Sequence, residues 1–153
     1  KKGMARADDD PRPKDVDQSF TTLFMVFDEN GREKVLAPGK KRPKLKPEDE
    51  QEGNLKHAIN GYIFANMPAL EMKKGQRVRW HLVAMGSEVD LHTAHWHGQT
   101  VLEHGRRTDV VELLPASMKT VDMDAVNPGH WMYHCHVSDH ITAGMFTHWI
   151  VHE

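Results

Sequence analysis

The chain has one cysteine, Cys135, and it lies between two histidines, His134 and His136. His140 follows five residues after the cysteine and Met145 ten residues after it. Upstream, the segment His92-Thr93-Ala94-His95-Trp96-His97-Gly98 carries three more imidazoles. One thiolate, two imidazoles and a long axial thioether form the donor set of a blue copper site. The upstream cluster supplies the further imidazole that such a site needs and leaves two to spare. A fold that satisfies these ligands must lay the two segments side by side.

Strand geometry turns the two clusters into a layout, because alternate side chains of a strand point to opposite faces. If residues 134–136 are extended, Cys135 faces one way and both flanking histidines face the other. His95 and His97 likewise share a face, while His92, three residues before His95, points to the opposite one. Two back-to-back groups follow. His92, Cys135, His140 and Met145 form a blue copper set. His95, His97, His134 and His136 offer four imidazoles and no thiolate, which suits copper that handles oxygen. Cys135 is bonded through the backbone to both histidines of the second group, a short path for an electron between the two.

Other readings of these residues are weaker. A lone buried cysteine is usually a small hydrophobe, but here it comes with seven further donors at ligand offsets. Zinc also takes Cys and His, yet one thiolate among six clustered imidazoles exceeds a tetrahedral need, and structural zinc seldom uses a downstream Met. Of the twelve histidines, His81, His104, His130, His148 and His152 have no partner at ligand spacing and read as structural or exposed. Trp80, Trp96, Trp131 and Trp149 read as core, with Trp96, between two ligands, also placed to line an oxygen site. The scattered Met67, Met72, Met85, Met118, Met123 and Met132 do not make a methionine-rich copper patch.

The rest of the chain points to an all-β sandwich. Strand candidates are Ser19 to Phe27, Arg77 to Val83 (alternating, with Val78, Trp80 and Leu82 on one face), Thr93 to Leu102, Ser117 to Met123, His130 to Cys135 and Met145 to Val151. Turn signals stand at 28–31, 85–87 and 127–129. Many short strands between regular turns argue for a sandwich, with one short helix expected near Ser138 to Ala143. Residues 1–18 are charged and aperiodic, a tail or interdomain linker. Arg32 to about Lys56 reads as a long surface loop. The length of 153 residues makes one domain the default. A net charge of −2 gives no electrostatic case for nucleic acid. No apolar stretch approaches the roughly 20 residues of a membrane span and no signal peptide is evident. A start at Lys1 suggests a processed or excised piece. A lone cysteine is silent about compartment.

The segments HTAHWHG (92–98) and HCHVSDHITAGM (134–145) resemble the last two of the four copper motifs of the multicopper oxidases, the family of laccases and ceruloplasmin. FMVFDENG (24–31), HAINGYIFANMP (57–68) and VAMGSEVDLHTAHWHG (83–98) extend the similarity, to the C-terminal-type domains of ceruloplasmin and hephaestin, from about residue 19 to the end. The resemblance implies a cupredoxin domain over 19–153, a Greek-key β-sandwich with a short helix near the type 1 copper loop. It implies type 1 copper on His92, Cys135, His140 and Met145, type 2 copper on His95, and the type 3 pair on His97, His134 and His136. The family's trinuclear centre uses eight histidines and this chain offers four. A complementary N-terminal-type cupredoxin domain, or identical subunits as in two-domain trimeric laccases, is therefore expected to complete it. Related nitrite reductases lack the second flanking histidine, so His136 favours oxygen over nitrite.

The implied activity is a copper oxidase. Single electrons from a phenol, an amine or Fe(II) pass through the His134-Cys135-His136 segment to reduce O2 to water. Glu52, His57 and Asp139 match positions resembling a ferroxidase substrate site, and Asp139 directly precedes His140. Their carboxylates and imidazole suit Fe(II) or Mn(II); alternatively Asp139 orients a ligand histidine and Glu52 is one charge of an acidic run. The rival to the oxidase is a non-enzymatic blue copper electron carrier with only the type 1 site functional. A periplasmic or secreted location rests on the resemblance alone.

Overall fold

The computed structural model describes residues 5–7, 10–30, 46–87 and 90–153. Two short strands, β1 (Ala5–Ala7) and β2 (Asp10–Pro13), pair with each other near the N-terminus. The long β3 (Gln18–Asp28) is followed by the helix α1 (Pro47–Gly53) and by β4 (Leu55–Ile59) and β5 (Leu70–Lys73). Next come β6 (Arg77–Ala84), β7 (His92–Trp96), β8 (Val101–Glu103), β9 (Arg106–Thr108) and β10 (Val110–Leu113). The chain ends with β11 (Met118–Asp124), β12 (Gly129–Cys135), the one-turn helix α2 (Ser138–Thr142) and β13 (Phe146–His152).

These strands form a five-stranded sheet, in order β10-β7-β12-β13-β5, and a six-stranded sheet, in order β4-β3-β6-β11-β8-β9. The β3–β6 and β5–β13 neighbours are parallel and the others antiparallel. Alternation explains the two layers. In β6 every second residue, Val78, Trp80, Leu82 and Ala84, is buried, while the residues between them are only partly so, the period-two pattern of a half-buried strand. Between the sheets Trp80 meets Trp96, Tyr133 and Trp149 at ring separations of 5.5, 5.1 and 6.4 Å. The buried Tyr133 hydroxyl is hydrogen-bonded to Thr22 at 2.9 Å, so the core leaves no polar cost there. The fold is the expected cupredoxin-type β-sandwich with a short helix next to Cys135.

Several expectations need correction. Residues 93–102 are not one strand: β7 belongs to the five-stranded sheet and β8 to the six-stranded one. The chain turns at Gly98, whose φ of +81° only glycine adopts freely and where a Cβ would sit 2.3 Å from the Trp131 ring. Within the stretch read as a loop to about Lys56, Pro47–Gly53 is a helix. Its acidic sequence has no apolar stripe, but Pro47 pre-sets the helical φ at its first turn. The rest of that stretch, 31–45, lies outside the described residues, as does the end of the 28–31 turn. β4, β5, β9 and β10 were not anticipated, being three to five residues long and too short to show a period. The expected tail or linker over 1–18 joins the domain at its end, where Val16 is buried and the Asp17 amide donates to the Arg77 carbonyl at 2.8 Å.

What positions the site is the pairing of β7 with β12. The two run antiparallel with Tyr133 opposite Trp96, His134 opposite His95, and Cys135 opposite Ala94. Residues 92, 94 and 96 therefore face the core with 133 and 135, and residues 93 and 95 share the outer face with 134.

Candidate metal centre

On the core side of this pair, His92, Cys135 and His140 are buried at 1, 0 and 7 % exposure, and their donor atoms lie within 4.8 Å of one another. Cys135 Sγ is 3.9 Å from His92 Nδ1 and 3.6 Å from His140 Nδ1. Metal bonds of about 2.3 Å to sulfur and 2.05 Å to nitrogen, opened to a trigonal plane, place those atoms about 3.8 Å apart. The donor spacing fits one bound ion. The Thr93 amide points at Sγ from 3.4 Å, a donor that favours thiolate character.

The chain beyond Cys135 is folded to return His140 to it. α2 supplies one helical turn, after which the Met145 amide donates to the His140 carbonyl at 2.9 Å and the Cys135 amide to the Met145 carbonyl at 3.0 Å. Met145, fully buried, is thereby tied by its backbone to both neighbours. Burial pushes His92 down and lowers His140 to about 4, so both imidazoles stay neutral with lone pairs available. Burial raises the Cys135 thiol, so occupation by a metal must release its proton.

On the outer face, His95, His97 and His134 converge with donor atoms also within 4.8 Å. His134 Nδ1 lies 2.8 Å from the Cys135 carbonyl, which can only accept, so Nδ1 carries the proton and Nε2 a single bare lone pair. Both His95 Nδ1 and His97 Nε2 approach that Nε2 at 3.0 Å. One lone pair cannot serve two donors well, whereas a cation among the three nitrogens satisfies all of them. His136 stands beside the group, its ring 5.0 Å from His95 and 5.3 Å from His134. Burial and the neighbouring imidazoles hold His95 and His134 below the usual histidine range. Unlike the core side, this face is open: His97 and His136 are exposed, and His95, His97, Gly98, Asp109 and Trp131 edge a hollow of about 470 Å³.

Of the third set, His57 and Glu52 meet, with His57 Nε2 3.5 Å from Glu52 Oε1, and the His57 ring is 4.9 Å from His140. His57 is 5 % exposed, yet neither of its ring nitrogens makes a hydrogen bond. Buried unpartnered imidazole nitrogens are uncommon and call for a ligand or water. Glu52 also lines a separate hollow of about 310 Å³ with Asp49, Lys56 and Phe64. Asp139, exposed in the first turn of α2, reaches neither residue, but its charge acts on His140.

The Trp96 ring packs into the core on Trp80 and Tyr133, as expected, while Trp96 is also among the residues that edge the hollow beside His95 and His97. Of the histidines read as structural or exposed, His130 and His148 stack across strands, His152 contacts Glu71 at 2.9 Å, and His81 contacts Thr120 at 3.3 Å. Sequence reasoning also missed Thr93, whose hydroxyl accepts from the His136 amide at 3.1 Å, and Asp109, 3.6 Å from His95. Both roles arise from strand pairing and carry no motif of their own.

The family profile described as multicopper oxidase matches residues 37–153. Human hephaestin is 46 % identical over 143 residues, covering 87 % of this chain and 12 % of that protein. A mouse protein named ferroxidase HEPHL1 is 42 % identical over 149 residues, covering 92 % of this chain and 13 % of that one. The chain thus spans about an eighth of the length of these curated relatives. Among solved structures, the blue copper oxidase of Nitrosomonas europaea superposes with a TM-score of 0.67 at 22 % identity, over 94 % of this chain and 47 % of that one. With a family match over most of its length and a copper-type donor set on the core side of its central strands, this chain belongs to the multicopper oxidases as one of their copper-using cupredoxin domains.

Proposed function

We propose that this chain, through the cupredoxin domain at 19–153, is the C-terminal-type half of an oxygen-reducing copper oxidase, with 1–18 as tail or linker. His92, Cys135, His140 and Met145 hold type 1 copper; His95 holds type 2 copper; His97, His134 and His136 hold their share of the type 3 pair. Bound copper would supply one-electron acceptance on the core side and four-electron reduction of O2 to water on the outer side. The observation that carries this reading is the β7–β12 register, which sets a thiolate group and an imidazole group on opposite faces of the same two strands. Cys135 links them covalently, since its own backbone continues directly into His134 and His136. The outer group has four imidazoles beside an open hollow, so a complementary cupredoxin domain or identical subunits, as in a homotrimer, complete it from that side.

Fe(II) is the reducing substrate favoured by the site. His57 offers nitrogens that make no hydrogen bond beside the His140 ring, with the Glu52 carboxylate 3.5 Å from Nε2 and Asp139 preceding His140. An electron leaving a cation held there has His140 as its first stop. The name of the mouse relative, ferroxidase, agrees with this choice over a phenol or amine. Among the described residues no helix is long and apolar enough to cross a membrane, and the reading places the domain in the periplasm or outside the cell. Copper content and oxygen uptake test it. More than one copper per chain, with Fe(II)-dependent oxygen uptake when the outer face is complemented, is expected. A single copper and no uptake in the complemented protein would overturn it in favour of an electron carrier.

A further inference from the structure

His130 and His148 belong to neither copper group. Met132 lies directly opposite His148 in the β12–β13 ladder, and His130 lies two residues before Met132 on the same strand. Alternation puts all three on the outer face of the five-stranded sheet, where opposed side chains begin about 5 Å apart. The two rings meet edge to face with centroids 4.7 Å apart. The His92–His140 and His95–His134 pairs, whose nitrogens converge for metal, stand at 4.9 Å each. Among the described residues neither the His130 nor the His148 side chain makes a hydrogen bond or ion pair, so their ring nitrogens are not spent elsewhere.

We propose that His130, Met132 and His148 form a surface site for a cuprous ion. The donors are two imidazoles and a thioether, with no carboxylate among them. On that face Glu71 lies opposite Ile150 and is engaged with His152 at 2.9 Å. Hard divalent cations want carboxylate or carbonyl oxygen, which this triad lacks, whereas thioether sulfur selects Cu(I). The site lies on the face that carries the histidine group, with His130 about 13 Å along β12 from His134 at the usual strand rise. Its existence does not depend on the oxidase reading, because no ligand is shared.

Anaerobic titration of the metal-free chain with Cu(I), against a chromophoric cuprous chelator, tests the site. The His130→Gln/His148→Gln variant is expected to bind one Cu(I) fewer per chain than the parent. Met132→Leu should keep that equivalent but weaken it by roughly tenfold or more, since even outer-shell losses cost that much. Ring-proton resonances of His130 and His148 should shift as that equivalent fills. Equal Cu(I) capacity in parent and double variant would overturn the site. Loss of the equivalent in the double variant, with no weakening in Met132→Leu, or displacement by equimolar Zn(II), would overturn its cuprous character. The three positions are exposed or half-buried, and an unchanged near-ultraviolet circular dichroism spectrum confirms the fold of each variant.

Discussion

The two faces of the β7–β12 pair are built from alternating residues of the same strands, yet they differ in nearly every physical respect. On the core side His92, Cys135 and His140 are closed off from water, and their spacing already suits a metal. On the outer side His134 is buried but His97 and His136 are exposed beside an open hollow. A dry, closed site excludes molecules, whereas an open cluster of imidazoles leaves room for a small molecule beside it. A single peptide strand can serve both because the pleat separates neighbouring side chains while the backbone joins them.

The sharpest way to break this comparison is Cys135→Ser. If the faces are independent metal sites, the intense blue absorption of the copper-loaded chain disappears completely while copper on His95, His97 and His134 remains, read by electron paramagnetic resonance. Loss of both signals in a folded variant would show that the faces do not bind separately. A smaller effect is expected from Gly98→Ala. Its Cβ would meet Trp131 ring atoms at 2.3–2.6 Å, at a φ of +81° that L residues avoid. The cost should be about 1–3 kcal/mol in chemical denaturation. Gly98 follows His97 directly, so the outer-face copper should weaken while the blue band keeps its position. A shifted blue band would mean that strain at the end of β7 crosses the sheet.

The grouping of candidate donors on both faces was legible because its signal is local: a donor type at a fixed offset, sorted on the strands by period-two alternation. His92 and Cys135 converge on one face, joined by His140 from α2, and His95, His97 and His134 converge on the other. What stayed hidden depends on register between segments. The pairing of His130 with His148, eighteen residues apart in the chain, requires knowing that Met132 opposes His148 across the β12–β13 ladder. The division of residues 93–102 between two sheets turns on the single positive-φ position at Gly98. α1 escaped because the five acidic and polar residues between Pro47 and Gly53 leave no apolar stripe to read. Trp96 was legible as core, since alternation against His95 and His97 turns its ring to the buried side.

The smallest expected effect supplies the control for the comparison, since it lies in the other sheet. Asp122 on β11 accepts from Arg79 Nε at 2.7 Å and Arg79 Nη2 at 2.9 Å, with Arg77 Nη2 at 3.3 Å. These guanidinium contacts hold its carboxyl below the usual range. A depressed native pKa means the unfolded chain binds the proton more readily. The ion pair therefore contributes stability above the unfolded value near ~3.9, and that contribution is lost as pH falls through the lower native value. Asp122→Asn should lower the thermal midpoint at pH 7, with the gap from the parent closing below about pH 4. Because neither face of β7–β12 touches this pair, blue absorption and outer-face copper should disappear together at the unfolding transition, unlike in Cys135→Ser. A gap that stays constant into acid would show that the Arg79–Asp122 contact contributes nothing through its charge.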